Sequence, residues 1–347
     1  MTSVIRVRAA TTLAVAFLAA VLSACAEPKP PPPPPPPPPV VMSPKLIEQA
    51  SAYRHYMART TAISPAFPDG VAVNQSLMVG VAYEPQQLLR GAVAYAAVVA
   101  LQDPAFLAGV RAYAADPTAR RIVAEGILKD PAYVVGVAGS GSAAGLVTSA
   151  LANDGRTLWD KGKLVKQAAY DVQHSPWSKA EVPNRIGRLA QAKTLSTTPA
   201  AGDMMETLRL QQAAAGASPL GVTGAPASPP YTPLVIRGLA LAALAVLGEA
   251  DDAHLESAFS VMSEPVSAGC LNLAKLNLYQ CLAVSKPHYE DVFCLGQHAM
   301  IDTAQCVTRG AGLPDPIDIK TAPLTVASTD PLIAAARKDA AKPVPPK

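Results

Sequence analysis

Histidine is scarce (5 residues), aromatic residues make up 5% of the chain and charged residues only 16%, against roughly 25% charged in ordinary domains. No Gly-x-Ser-x-Gly elbow, His-Glu-x-x-His pair or Walker loop occurs, which removes the hydrolase-elbow, zincin and P-loop classes. Lys and Arg number 29 against 26 Asp and Glu, and no basic run stands out, so nucleic acid is not expected as a partner. The apolar run from Ala9 to Leu22 is 14 residues, short of the roughly 20 that span a bilayer. Nothing in the chain calls for a cofactor. These absences point to a non-catalytic protein; an unfamiliar catalytic arrangement that converges only in space is the alternative.

What is present begins with a cationic head (Arg6, Arg8), the apolar run and then Leu22-Ser23-Ala24-Cys25. A positive segment, a short apolar core and a small-residue exit describe a removable signal. The last four residues resemble the lipobox of bacterial lipoproteins. The resemblance covers residues 1–24 as the signal peptide. It implies that Cys25 becomes the new N-terminus, carrying a thioether-linked diacylglycerol and an amino-linked acyl chain of the palmitate kind. Several acyl chains anchor far more firmly than one. In the same class, a residue other than Asp after the cysteine, here Ala26, implies the outer membrane and its periplasmic face. Loss of Arg6 and Arg8 leaves 27 basic side chains against 26 acids.

Pro30 to Pro39 are consecutive prolines. With φ locked and no amide donors the run is expected to form polyproline II, a spacer of roughly 31 Å at about 3.1 Å per residue. Residues 25–42 therefore read as lipidated cysteine and tether; codon-repeat drift in a disordered linker is the alternative.

Beyond the tether the expected fold class is all-α, a multi-helix bundle or irregular helical array. Residues 43–196 form one helical region, 197–233 a Pro/Gly/Ala-rich linker or surface excursion, 234–312 a second helical region, and 313–347 a mobile tail with a short helix at 331–338. Ser43-Pro44 supplies an N-cap and a first-turn proline, and Leu46, Ile47, Ala50, Tyr53 and Met57 follow at helical spacing. Residues 63–82 read as irregular. Pro85 to Leu101 reads as a buried helix, with Glu84 at its cap. Asp103-Pro104, Asp116-Pro117 and Asp130-Pro131 each predict a helix of about ten residues. The stretches 103–110 and 130–137 resemble each other, as a helical-hairpin repeat or by chance. Uncharged 133–153 is expected to be two short buried helices with a glycine turn; a dinucleotide loop and a membrane helix are the rejected alternatives. Leu158 to His174, with Lys161, Lys163 and Lys166, and Pro183 to Leu195, with Arg185 and Arg188, read as helices with solvated cationic faces, or as contacts to anionic lipid or wall polymer. Met204 to Ala215, Leu234 to Gly248 and the stretch from Asp251-Asp252 to Met262 complete the expected helices. Glu125 is either a buried acid or a surface one, while Asp252 and His254 read as cap and surface.

The remaining cysteines, Cys270, Cys281, Cys294 and Cys306, form an even set, which in an oxidising compartment reads as two disulfides with three possible pairings. If Leu271 to Gln280 is one helix, Cys270 and Cys281 lie about 16 Å apart, beyond the roughly 7 Å limit for a bridge. Eleven residues return to nearly the same helical face, whereas the twelve from Cys294 to Cys306 miss phase by about 120°. An antiparallel hairpin turning at Ser285–Pro287 then pairs Cys281 with Cys294 and Cys270 with Cys306. The segment resembles the twin-cysteine helical hairpins of oxidised organelle proteins, with a different spacing. A zinc site is the rival, using the thiolates with His288 and His298, or His298 and Asp302 with His288 or Glu290; helix-dipole complementation is the simpler account of Glu290 and Asp291.

The expected function is a structural or binding module of the cell envelope, engaging envelope proteins or peptidoglycan and reaching the membrane through its lipid. The alternatives are a periplasmic hydrolase acting on envelope material and a carrier of apolar ligands.

Overall fold

The computed structural model describes residues 39–316. Cys25, most of the proline run and the 331–338 helix lie outside the described residues. The described fold is all-α, and its one β-type pairing is an isolated bridge between Glu181 and Pro287.

Caps written into the sequence start most helices. Ser43 accepts from Lys45 N at the head of α1 (Pro44–Thr61). Asp69 accepts from Ala72 N at α2 (Gly70–Val81), and Glu84 from Gln86 N and Gln87 N at α3 (Pro85–Ala100). Asp103 and Asp116 do the same for α4 (Pro104–Ala114) and α5 (Pro117–Lys129). Each such cap is worth about 1 kcal/mol. Helix α2 corrects the irregular reading of 63–82: Asp69-Gly70 is a cap rather than a turn, and Val73, Leu77 and Val81 bury one face. Asp130-Pro131 opens only a six-residue 3-10 turn, Pro131–Gly136. The two similar stretches therefore adopt different structures, and no hairpin repeat exists.

The pair of short helices expected over 133–153 is also corrected. Gly139, at φ 83°, is the N-cap residue of one helix, α6 (Ser140–Asp171), that runs 32 residues, about 48 Å. Gly141 and Gly145 lie within it, each carrying a propensity cost of about 1 kcal/mol. An extended strip of the 197–233 excursion offsets that cost: Ala227 N donates to Gly141 O at 2.8 Å, and a Cβ on Gly145 would overlap the Ala225 carbonyl oxygen. Gly145→Ala is expected to destabilise the protein by about 2 kcal/mol through this backbone clash, read as a lower urea midpoint; an unchanged midpoint would contradict the packing.

The excursion is pinned along its length. Gln87 exchanges two hydrogen bonds with Ala200, at 2.8 and 2.7 Å. Gln102 Nε2 donates to Ala213 O at the end of the next helix, α8 (Met204–Ala214). Ahead of it stands α7 (Arg185–Thr197). Then α9 (Pro233–Leu247), capped by Thr232, lies at the centre against α3. A Cβ on Gly238 would sit 2.5 Å from Ala96 Cβ, so small residues set this approach. Regions 43–196 and 234–312 thus share one core.

After α10 (Leu255–Val261) come α11 (Pro265–Val284), α12 (His288–Cys294), a π-helical stretch at Leu295–Ile301 and α13 (Asp302–Gly310). Disulfides Cys270–Cys306 and Cys281–Cys294, each with Cα atoms 5.7 Å apart, staple this antiparallel hairpin as expected. The π stretch resolves the phase mismatch. Absorbing about one extra residue into the winding turns the face back by roughly 100°. The twelve-residue step then matches the eleven-residue step opposite.

A candidate binding site around the hairpin turn

The turn between α11 and α12 is held by a dense set of side-chain bonds. Arg188 and Asp291 are both buried and meet through two contacts, at 2.5 and 2.6 Å. Arg188 also donates to Leu282 O, and Ser285 Oγ donates to Asp291 Oδ1 at 2.8 Å. Burial pushes the Asp291 carboxyl above its ordinary range, opposed by Arg188 and Ser285. Arg185 reaches Ser285 O at 2.7 Å and Ala283 O at 3.1 Å. Two arginines thus satisfy the last carbonyls of α11, where cations complement the helix dipole. This corrects the solvated-face reading of Arg188, whose charge is consumed inside the protein. Val182 N donates to Lys286 O at 2.8 Å, tying the turn to the strip before α7.

Three clefts open around this turn. The first, of about 490 Å³, is lined by Asn74 of α2, Asn184 and Gln191 of the α7 region, and His288, over Val71 and Val182. The His288 ring packs on the bare Cα of Gly70, where a Cβ would overlap it, and lies 6.2 Å from the Trp177 ring. Asn184 holds a left-handed φ of 47° while its side chain caps α7. Sparsely populated conformations of this kind gather at functional sites. The second and third clefts, of about 370 and 600 Å³, flank Tyr289 on the far side of the turn.

His298 and Asp302 are brought together: Nδ1 lies 2.8 Å from Asp302 Oδ2. Gln297 Nε2 donates to Asp302 Oδ1 at 2.9 Å, and Lys166 Nζ to Gln297 Oε1 at 2.7 Å. Burial works against the ionised Asp302, but the His298 and Gln297 bonds outweigh it and hold the carboxyl below its ordinary range. The pair sits where the π stretch hands over to α13. His288 does not join it, and among the described residues no three His, Cys, Asp or Glu side chains converge as a metal site would require. The four cysteines are bonded to one another. Glu125 is exposed, paired at 4.0 Å with Arg121.

Sequence reasoning missed two buried networks. Asp154 binds Arg54 at 2.5 Å and Tyr53 at 3.1 Å. Lys275 is 3% exposed, donates to Val81 O at 2.6 Å and to Ser196 Oγ at 3.0 Å, and lies 3.4 Å from the Tyr83 ring centroid. Burial holds its amine well below the ordinary lysine range. The Ser196–Lys275 distance suits a nucleophile and base, but Ser196 is 1% exposed and its hydroxyl donates to Val81 O. The pair is therefore structural. No one-dimensional signal marks either network, because the partners stand 79 to 194 positions apart.

The chain matches no protein-family model, and no curated protein or solved structure matches it significantly.

Proposed function

We propose that the chain is a lipid-anchored, non-catalytic binding module of the bacterial envelope, held by Cys25 at the periplasmic face of the outer membrane. Its cleft at His288 takes uncharged segments of the wall polymer. The amide-lined cleft carries this reading. Asn74, Asn184 and Gln191 offer neutral donors and acceptors over apolar Val71 and Val182, which matches hydroxyl, acetamido and peptide groups. The guanidinium nearest the cleft, that of Arg188, is already neutralised by Asp291. The hydrolase alternative draws on His298–Asp302, but among the described residues no nucleophile is bonded to that histidine. The apolar-carrier alternative gains nothing from the apolar pocket lined by Tyr53 and Leu234, about 10 Å³ in volume, which holds a water at most.

Two measurements test the reading. Cys25→Ala is expected to move the protein from the membrane pellet to the soluble periplasmic fraction; retention in the pellet removes the anchor. Mature protein is expected to co-sediment with purified peptidoglycan sacculi. The double variant Asn74→Leu, Gln191→Leu should weaken that binding about tenfold by leaving polar ligand groups unpaired. Wild-type protein left wholly in the supernatant defeats the wall-polymer reading.

A further inference from the structure

The two clefts beyond the turn adjoin at Gln173 and Tyr289, which line both; taken together as one groove, they have two chemically different ends. At one end Tyr170, Tyr289 and Phe293 stand with the Glu290 carboxylate over the Cys281–Cys294 bridge. Glu290 spends one oxygen on Lys286 N at 2.8 Å. Aromatic faces beside a carboxylate are the usual reception for an organic ammonium, whose charge the ring quadrupoles attract. Phe293 already holds a cation this way, Lys166 Nζ lying 5.3 Å from its centroid. At the other end stand Lys179, Lys286 and His174, with Glu181. Glu181 is drawn off by Arg185 at 3.5 Å, which leaves an excess of positive charge suited to a phosphate. Both ends fall within the size range of small-molecule sites.

We propose that this groove binds a zwitterion in which an organic ammonium is joined to a phosphate, as in phosphocholine. The ammonium lies between Tyr170 and Tyr289 beside Glu290, and the phosphate meets Lys179 and Lys286. No residue of the His288 cleft takes part except through the shared turn, so this proposal stands or falls apart from the wall-polymer reading. The ligand is either free or the headgroup of a lipid.

Calorimetric titration of the mature protein tests it with phosphocholine, choline and inorganic phosphate as separate probes. Phosphocholine is expected to bind at least about tenfold tighter than either fragment, because each end raises the effective concentration of the other. Glu290→Gln should weaken phosphocholine and choline together. Lys179→Ala with Lys286→Ala should weaken phosphocholine and phosphate but leave choline unchanged. Co-sedimentation with phosphatidylcholine vesicles, and not with phosphatidylglycerol vesicles, assigns the headgroup in a membrane; binding of soluble phosphocholine alone assigns the free ligand. Phosphocholine binding no tighter than its fragments, or indifferent to both variants, overturns the proposal. Circular dichroism and the retained choline affinity of the lysine variant separate a lost site from a lost fold.

Discussion

Asp291→Ala is expected to lower the stability of the folded protein by about 3–5 kcal/mol, because it strands a buried guanidinium. Both partners are buried: the Arg188 side chain is 3% exposed and that of Asp291 2%. The remaining partner, Leu282 O, offers only a carbonyl dipole. Ser285 loses its shorter bond at the same time and keeps only Leu282 O at 3.4 Å, so the damage falls on the turn. A thermal melt with both disulfides intact should show a midpoint lower by roughly 6–15 °C. The paired replacement Arg188→Met with Asp291→Leu should cost much less, since no charge is left unpartnered. A single variant as stable as wild type would mean that the ion pair does not hold the turn.

The second large effect has the opposite sign. Lys275→Met is expected to stabilise the protein at neutral pH by about 1–3 kcal/mol, as apolar replacements of buried charges often do. Methionine keeps the volume, and Val81 O retains Ser196 Oγ as a donor at 3.2 Å. Lys275→Ala, by contrast, opens a cavity and should destabilise. The pH profile supplies an independent reading. Burial depresses the folded-state amine, so between that value and the unfolded value of about 10.4 the unfolded chain binds more protons. Stability therefore rises with pH across that window and is lowest below it. Glu84 acts weakly the other way. Urea unfolding from pH 7 to 10 should show the rise in wild type and its loss in Lys275→Met. Equal slopes in the two proteins would refute the account.

Helix starts were legible because their signals are local. Ser43, Glu84, Asp103 and Asp116 each cap within three residues, and a reader needs only the following proline to see it. Disulfide pairing was legible because eleven residues and a helix leave few geometric options. The π stretch was not, since it depends on α11 lying opposite. Asp69-Gly70 misled because a cap and a turn use the same two residues; the apolar spacing of Val73, Leu77 and Val81 was the signal that distinguishes them. The length of α6 was hidden by Gly141 and Gly145, whose cost is offset by a strip 80 or more positions away. The same limit applies to the site. Residues 286 to 290 are consecutive and could be singled out, but Asn74, Tyr170 and Lys179 reach them only through the fold.

The central claim is that the stapled turn presents a preformed recognition surface. Site-specific photo-crosslinking in intact cells tests it most directly, with the photoreactive residue placed at Val284, 74% exposed on the groove rim, and at Ile122, 56% exposed on α5. The account predicts a discrete adduct from position 284 that is absent from position 122 and lost when Asp291→Asn loosens the turn. Identical labelling from both positions, or an adduct at 284 indifferent to Asp291, would contradict it.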